Sequence, residues 1–322
     1  MKPLTIFPAE PRINFLRVKW VAFAVAIALT LVSLGSIATR GFNFALDFTG
    51  GTVTELRFAQ PVDIEDARGR LAEAGFGDAQ VISFGSGNDL LVRMQLDGVE
   101  DGEDNIAANA EAAAQITRAV STPDNPGTVV RSDFVGPQVG RDLALNGIWA
   151  VIFVVVGFLI YISFRFEKKF AIAAVITSLQ DVTIVLGWFS LTGHEFDLTV
   201  LAGVLAVLGF SINDTIVVFD RIRDNFRSMR ADPDAIINAS INQTLSRTVI
   251  TSFVAFLAVL ALYLYGGGSL KGMAEAQMIG VVVGTLSSIL IASPLLTLGF
   301  LKVTKQDLLP KAKDEAALAR RP

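Results

Sequence analysis

The chain has 322 residues, of which 52% are hydrophobic, and a formal net charge of −4. With a mean hydropathy of +0.53, this composition excludes an ordinary soluble domain and defines an integral membrane protein. Cysteine is absent and His194 stands alone, which excludes disulfides, thiolate redox chemistry and a His-rich metal site built from this chain.

Residues 1–19 carry Lys2, Arg12, Arg17 and Lys19, and residues 20–37 follow as an uncharged apolar run. That run is long enough for a membrane span. Its basic flank predicts a cytoplasmic N-terminus at 1–19 and a first transmembrane helix at 20–40, the alternative being a cleaved signal ending near Ala38.

From 41 to 146 the chain turns polar, and its alternation predicts strands at 52–58, 80–84, 90–95 and 128–135. Helices fit at 63–74, which opens on acidic residues and stops at Gly75, and at 104–120, which stops before Pro123. The order β-α-β-β-α-β predicts a ferredoxin-like α+β domain on the periplasmic side. It holds 17 Asp and Glu against seven Arg and no Lys, so it has no reason to bind nucleic acid or anionic lipid. The charge reads as a solubilising surface rather than a site for a basic client. Two glycine-rich stretches bracket the domain, LDFTGGTV at 46–53 and FVGPQVGRDL at 134–143. Neither leads to a Walker lysine, so Gly50, Gly51, Gly136 and Gly140 read as hinges or tight turns rather than as a nucleotide loop.

Five further apolar runs lie at 147–164, 170–191, 198–219, 248–265 and 277–301, followed by a basic tail at 302–322. Connectors expected inside carry Arg165, Lys168 and Lys169, then Arg221, Arg223, Arg227 and Arg230, and finally the tail, whereas the outside connectors carry only Lys271. The prediction is a polytopic α-helical membrane protein with six transmembrane helices, one plus five, both termini in the cytoplasm and a five-helix domain at 147–301.

The chemistry centres on Asp214, inside the run at 198–219. A carboxylate facing lipid near the bilayer centre costs roughly 2.5 to 3.5 kcal/mol, so it should face protein, water or a partner. Phe210, Ser211, Val207 and Gly203 share its face, and Asn213 and Thr215 flank it. Arg247 opens the next run at comparable depth on the antiparallel neighbour, so the two charges are expected to pair; a snorkelling interfacial arginine is the alternative. Thr244, Thr248 and Ser252 form one i, i+4 row and Arg247 and Thr251 another, giving hydroxyls that either relay protons or satisfy helices. Asp181, with Gln180 beside it, is the deepest carboxylate. Asp214, Arg247 and Asp181 are the proton-coupling candidates, with Ser211, Asn213, Thr248 and Thr251 in support. His194, Glu195 and Asp197 read as solvated loop residues. Gly280 and Gly284 are spaced for close packing within the chain or against a subunit, and Pro294 is expected to bend the last helix.

The stretches GFSINDTIVVFDRIRDNFR (209–227), LSRTVITS (245–252), DFTGGT (47–52) and VGPQVG (135–140) together resemble the SecD/SecF family of the bacterial Sec translocase. The resemblance runs from the first helix to the last, with Phe210 standing where tyrosine is expected and Leu46 where isoleucine is common. It implies an accessory subunit that works with SecD at the inner membrane. Such a subunit uses the proton motive force for late, ATP-independent steps of translocation and release. Partners so implied are SecD, the SecYEG channel, YajC, YidC and the translocating preprotein, with no nucleic acid. No cofactor is expected beyond a transmembrane proton or sodium gradient, and no metal.

A proton-coupled exporter of small molecules or lipids, of the resistance-nodulation-division type, shares this architecture but usually has larger outer domains. An intramembrane aspartyl protease using Asp181 and Asp214 is the enzyme alternative. FSIN before Asp214 lacks the GxGD pattern of those enzymes, and Arg247 would spoil shared-proton chemistry, so the chain is read as no enzyme.

Overall fold

A computed structural model describes residues 13–77, 79–84, 88–94, 105–304 and 307. A 3-10 turn at Phe15–Val18 leads into α1 (Lys19–Arg40), which ends where Gly41 takes a φ of 68°. Then come β1 (Asn43–Phe44), α2 (Leu46–Thr49), β2 (Gly51–Arg57), α3 (Ile64–Glu73), β3 (Gln80–Phe84), β4 (Asp89–Met94), α4 (Asn105–Val120) and β5 (Thr128–Val135). Helices α5 (Pro137–Arg165) and α6 (Lys168–Thr192), β6 (Glu195–Phe196), α7 (Leu198–Ser228), α8 (Pro233–Tyr265) and α9 (Gly268–Ser287) complete the main elements. A π turn at Ser288–Ala292, α10 (Ser293–Leu295) and a 3-10 turn at Gly299–Leu301 close the described chain. The chain divides into two units, Phe44–Ala150 and the remainder.

In the first unit, strands β2 to β5 form one antiparallel sheet in the order β3-β4-β2-β5. That order, with α3 joining β2 to β3 and α4 joining β4 to β5, is the split βαβ plan predicted from the sequence. Local chemistry fixes the pieces. The Asp63 carboxylate accepts from the amides of Glu65 and Asp66, capping α3, and Gly75 turns the chain out at a φ of 92°. Alternation along the strands sends Leu56, Leu90 and Val92 inward against Ala67 and Leu71 of α3 and Ala112 and Ile116 of α4. Full burial of each large apolar side chain is worth about 1.5 to 3 kcal/mol, so this layer supplies the unit's main stabilisation. Gln95 and Asp104, placed at the ends of a predicted strand and helix, lie outside the described residues.

Six helices among the described residues are long and apolar enough to cross a membrane; five lie in the second unit, and α5 runs from the first unit into it. Helix α5 begins at Pro137, so its opening turns, residues 137–150, belong to the first unit and the rest to the second. Helix α8 begins at Pro233, 15 residues before the predicted start, with Asp232 and proline at its first position. Its added turns pair with the tail of α7. There Phe219, Ile222 and Phe226 of α7, Ile236, Ile237 and Ile241 of α8, and Phe166 and Phe170 form one buried cluster. Asn225 donates to Ser240 at 2.8 Å and to Gln243 at 2.9 Å across the same pair. Near Pro294, where the sequence predicts a bend, the helix passes into a π turn immediately before the proline, and the Ser293 hydroxyl donates to the Ser288 carbonyl at 3.0 Å. Lys2, Arg12, Lys305, Lys311, Lys313, Arg320 and Arg321, used to orient the chain, lie outside the described residues.

Candidate functional site

Glycines bring α7 and α9 together. A Cβ at Gly280 would overlap the Val207 side chain, one at Gly272 would stand 2.7 Å from Val200, and one at Gly203 would stand 2.9 Å from the Met273 carbonyl. The Gly280 and Gly284 pair therefore packs within the chain, the first of the two alternatives open in the sequence. Helix α1 meets α6 in the same way: a Cβ at Gly187 would overlap Ser33, and the Ser36 and Ser190 hydroxyls share a 2.9 Å hydrogen bond.

This close packing encloses Asp181 of α6, which has no exposed surface. Its Oδ2 accepts from Ser211 of α7 at 2.5 Å and from Ser287 of α9 at 2.7 Å. Its Oδ1 is buried without a hydrogen-bond partner among the described residues, as are the hydroxyls of Ser178, Thr215 and Thr248. A buried carboxylate with two donors on one oxygen and none on the other is only half satisfied as an anion.

Asp214 sits three residues after Ser211, half-buried, and its Oδ2 accepts from Ser252 of α8 at 3.0 Å. It lines a cavity of about 80 Å³ together with Ser211, Asn213, Thr251, Ser252, Gly280 and Gly284. A water needs roughly 10 to 15 Å³ on this measure, so the cavity has room for several. The arrangement is a carboxylate with a hydroxyl donor at a small polar cavity inside an apolar bundle.

Arg247 does not pair with Asp214: no ion pair within 4.0 Å joins them, and its side chain is exposed. The cause is helical geometry. The Thr244, Thr248 and Ser252 row turns toward α7, with Thr244 and Thr248 buried, while Arg247 lies about 100° away around α8. It remains close enough for its charge to act on Asp214 through space. Thr251 lines the cavity, yet its hydroxyl donates back to the Arg247 carbonyl at 2.9 Å and the Thr248 carbonyl at 3.0 Å. Asn213 lines the cavity from an exposed position.

Ser252 and Ser287 are the contact residues that the candidate set lacked. Their signal was the serine spacing, four residues beyond Thr248 and three beyond Gly284. At the other end of the bundle, Glu275 of α9 takes hydrogen bonds from the indole of Trp188 at 2.7 Å and contacts His194 Nδ1 at 2.9 Å. His194 is thus a paired residue as well as an exposed one. Glu275 went unnoticed because it precedes the apolar run that began at 277.

In the first unit, Gly50 and Gly51 take φ values of 68° and 112°, and Gly140 of α5 lies so near that a Cβ there would stand 2.8 Å from the Gly50 amide nitrogen. Two of the four hinge candidates, Gly50 and Gly140, thus share one tight backbone contact, and the Gly136 carbonyl accepts from the Gly140 amide at 2.9 Å.

The fold and the bundle define a six-span membrane protein with a ferredoxin-like domain inserted after its first span and carboxylates held between its helices. The family described as "Protein export membrane protein SecD/SecF, C-terminal" matches residues 115–301, and the "SecD/SecF GG Motif" matches residues 35–62. Protein translocase subunit SecF of Pseudomonas aeruginosa is 46% identical over 94% of this chain and 96% of its own length. That of Vibrio alginolyticus is 43% identical over 95% of both. Among solved structures, SecDF of Thermus thermophilus, a translocon-associated membrane protein, superposes with a TM-score of 0.78 at 35% identity, covering 91% of this chain and 39% of that one. The chain belongs to the SecF family, and it spans about two-fifths of the solved SecDF chain.

Proposed function

We propose that this chain is the SecF-type accessory subunit of a Sec translocase, and that Asp214 carries the ion whose passage drives it. The observation that carries the reading is Asp214 itself, a half-buried carboxylate inside an apolar helix, opening on a cavity large enough for water. Intramembrane carboxylates of this kind mark ion pathways. The coupling ion is a proton: Asp214 alternates between protonated and ionised forms, and Arg247 biases that choice through space. One charge crossing 100 mV is worth about 2.3 kcal/mol, which is enough to shift a two-state helix arrangement.

The family likeness supports SecD as the other half of the complex, since the solved relative bears both names and this chain spans two-fifths of it. SecYEG, YajC and YidC are proposed neighbours, and the client is a preprotein leaving the channel. The subunit lies in the inner membrane with its ferredoxin-like unit in the periplasm and both termini inside. Movement would pass through the contact of Gly50 and Gly140, and no covalent step is required. The test is release of a preprotein from membrane vesicles containing the partner subunits, for wild type and Asp214→Asn, with and without an imposed proton gradient, after assembly is verified. The gradient should speed release only in wild type. Equal release by the asparagine variant, or dependence on sodium instead of pH, would sink the proton reading.

A further inference from the structure

We infer that Asp181 is a second proton station, filled from the Asp214 cavity through the hydroxyl of Ser211. The inference rests on the proposed role of Asp214 and goes beyond it by giving the proton a second site across α7.

Ser211 faces both ways. It lines the cavity that Asp214 lines, and its Oγ donates to Asp181 Oδ2 at 2.5 Å. Because Ser211 and Asp214 are three residues apart on one helical face, a water in the cavity can lie between them. Gly284 borders both residues: a Cβ there would stand 3.3 Å from Ser211 Cα and 3.8 Å from Asp181 Oδ2. Asp181 also needs what the cavity would bring. Its Oδ1 is buried and has no donor among the described residues. A delivered proton neutralises a carboxylate that the bundle satisfies on one side only.

The transfer balances. Protonated Asp214 gives its proton to a cavity water, that water gives one to Ser211 Oγ, and Ser211 releases its own hydroxyl proton to Asp181 Oδ2. Asp214 ends as a carboxylate and Asp181 as a carboxylic acid, with the serine and the water unchanged in composition. Ser287, the other donor to Asp181, cannot serve in this way, because it borders an apolar groove beside Val25, Leu29 and Leu286 that offers no source of protons.

Ser211 gives the experiment. Proteoliposomes holding the chain with its SecD partner and an entrapped pH dye are given a potassium diffusion potential, and proton influx is recorded. Ser211→Ala should slow influx roughly a hundredfold, the scale of a positioned proton-transfer group, Ser211→Thr should restore most of it, and Ser36→Ala, which removes a buried serine contact between α1 and α6 away from the carboxylates, should stay near wild type. Ser211→Ala at the wild-type rate, or Ser36→Ala falling as far, would overturn the relay while leaving Asp214 in place. Asp214→Asn at the wild-type rate would remove the site reading itself. Infrared difference spectra provide a readout without a serine variant. A gradient-induced carboxylic acid band present in wild type and lost in Asp181→Asn is expected, and its absence from wild type would refute the second station.

Discussion

Gly280 of α9 lies against Val207 of α7 so closely that a methyl group on the glycine would overlap the valine side chain, which is itself fully buried. Val207 has nowhere to turn. Gly280→Ala should therefore cost about 1 to 3 kcal/mol by overpacking. Gly209→Ala on α7, where nothing stands within 4 Å of the new Cβ, should be neutral or stabilising, since alanine exceeds glycine in a helix by about 1 kcal/mol. Thermal unfolding of the two variants in detergent checks the contrast, and equal midpoints would refute it.

The segment before α1 is tied to α8 by two amides. Asn242 accepts from the Ile13 amide at 2.9 Å and donates to its carbonyl at 2.8 Å, and Asn238 accepts from the Phe15 amide at 2.9 Å. Side chains here satisfy backbone groups of Ile13 and Phe15 that lie outside regular pairing. Asn242→Ala should cost about 1 kcal/mol or less, since water can replace part of the lost pairing. Hydrogen exchange at Ile13 should accelerate while that in the α7 core does not.

These amides show where sequence reading stopped. Helix positions, strand order and the α3 cap were legible, because hydrophobic period, Asp63 and Gly75 are local signals. Asp181 and Asp214 stood out because charge is rare in an apolar run. Which hydroxyl reaches which carboxylate depends on how helices rotate about their axes. Ser211 therefore went to Asp181, and Ser252, rather than Arg247, met Asp214. The start of α8 was missed because Asn238, Ser240, Asn242 and Gln243 look like a polar connector, while the face they leave to Ile236, Ile237 and Ile241 is fully buried.

Gly140 should tolerate no side chain. Its Cβ would press on the Gly50 backbone, which cannot swing aside as a side chain can, and Gly50 itself needs a positive φ. Gly140→Ala should destabilise the ferredoxin-like unit by about 1 to 3 kcal/mol. Pulse proteolysis of the full chain should show faster cleavage there, and unchanged cleavage would mean that the contact yields freely.

Asp307 sets a pH limit on the end of the described chain. Burial works against its anion, but the Lys169 ammonium at 2.8 Å and the Thr304 hydroxyl and amide outweigh that and hold its carboxyl below the ordinary value. A carboxyl depressed on folding adds stability above its unfolded value, about 3.9, and loses it as pH falls through the folded one. The difference in melting midpoint between wild type and Asp307→Asn should be present at neutral pH and vanish in strong acid. A difference that grew on acidification would have the wrong sign.

Ser252 and Arg247 stand five residues apart on α8 and should fail differently. Ser252 touches Asp214, so Ser252→Ala leaves that carboxylate without its direct donor, whereas Arg247 acts only through space. An exposed charge is screened by salt over roughly 10 Å at 0.1 M, and a half-buried hydrogen bond is not. Gradient-driven release should therefore weaken in both variants, with the Arg247→Gln defect shrinking relative to wild type at high salt and the Ser252→Ala defect holding constant. Rates measured across a salt series in the same vesicles decide it. Parallel salt dependence in the two variants would mean that Arg247 moves into direct contact with Asp214 during the cycle.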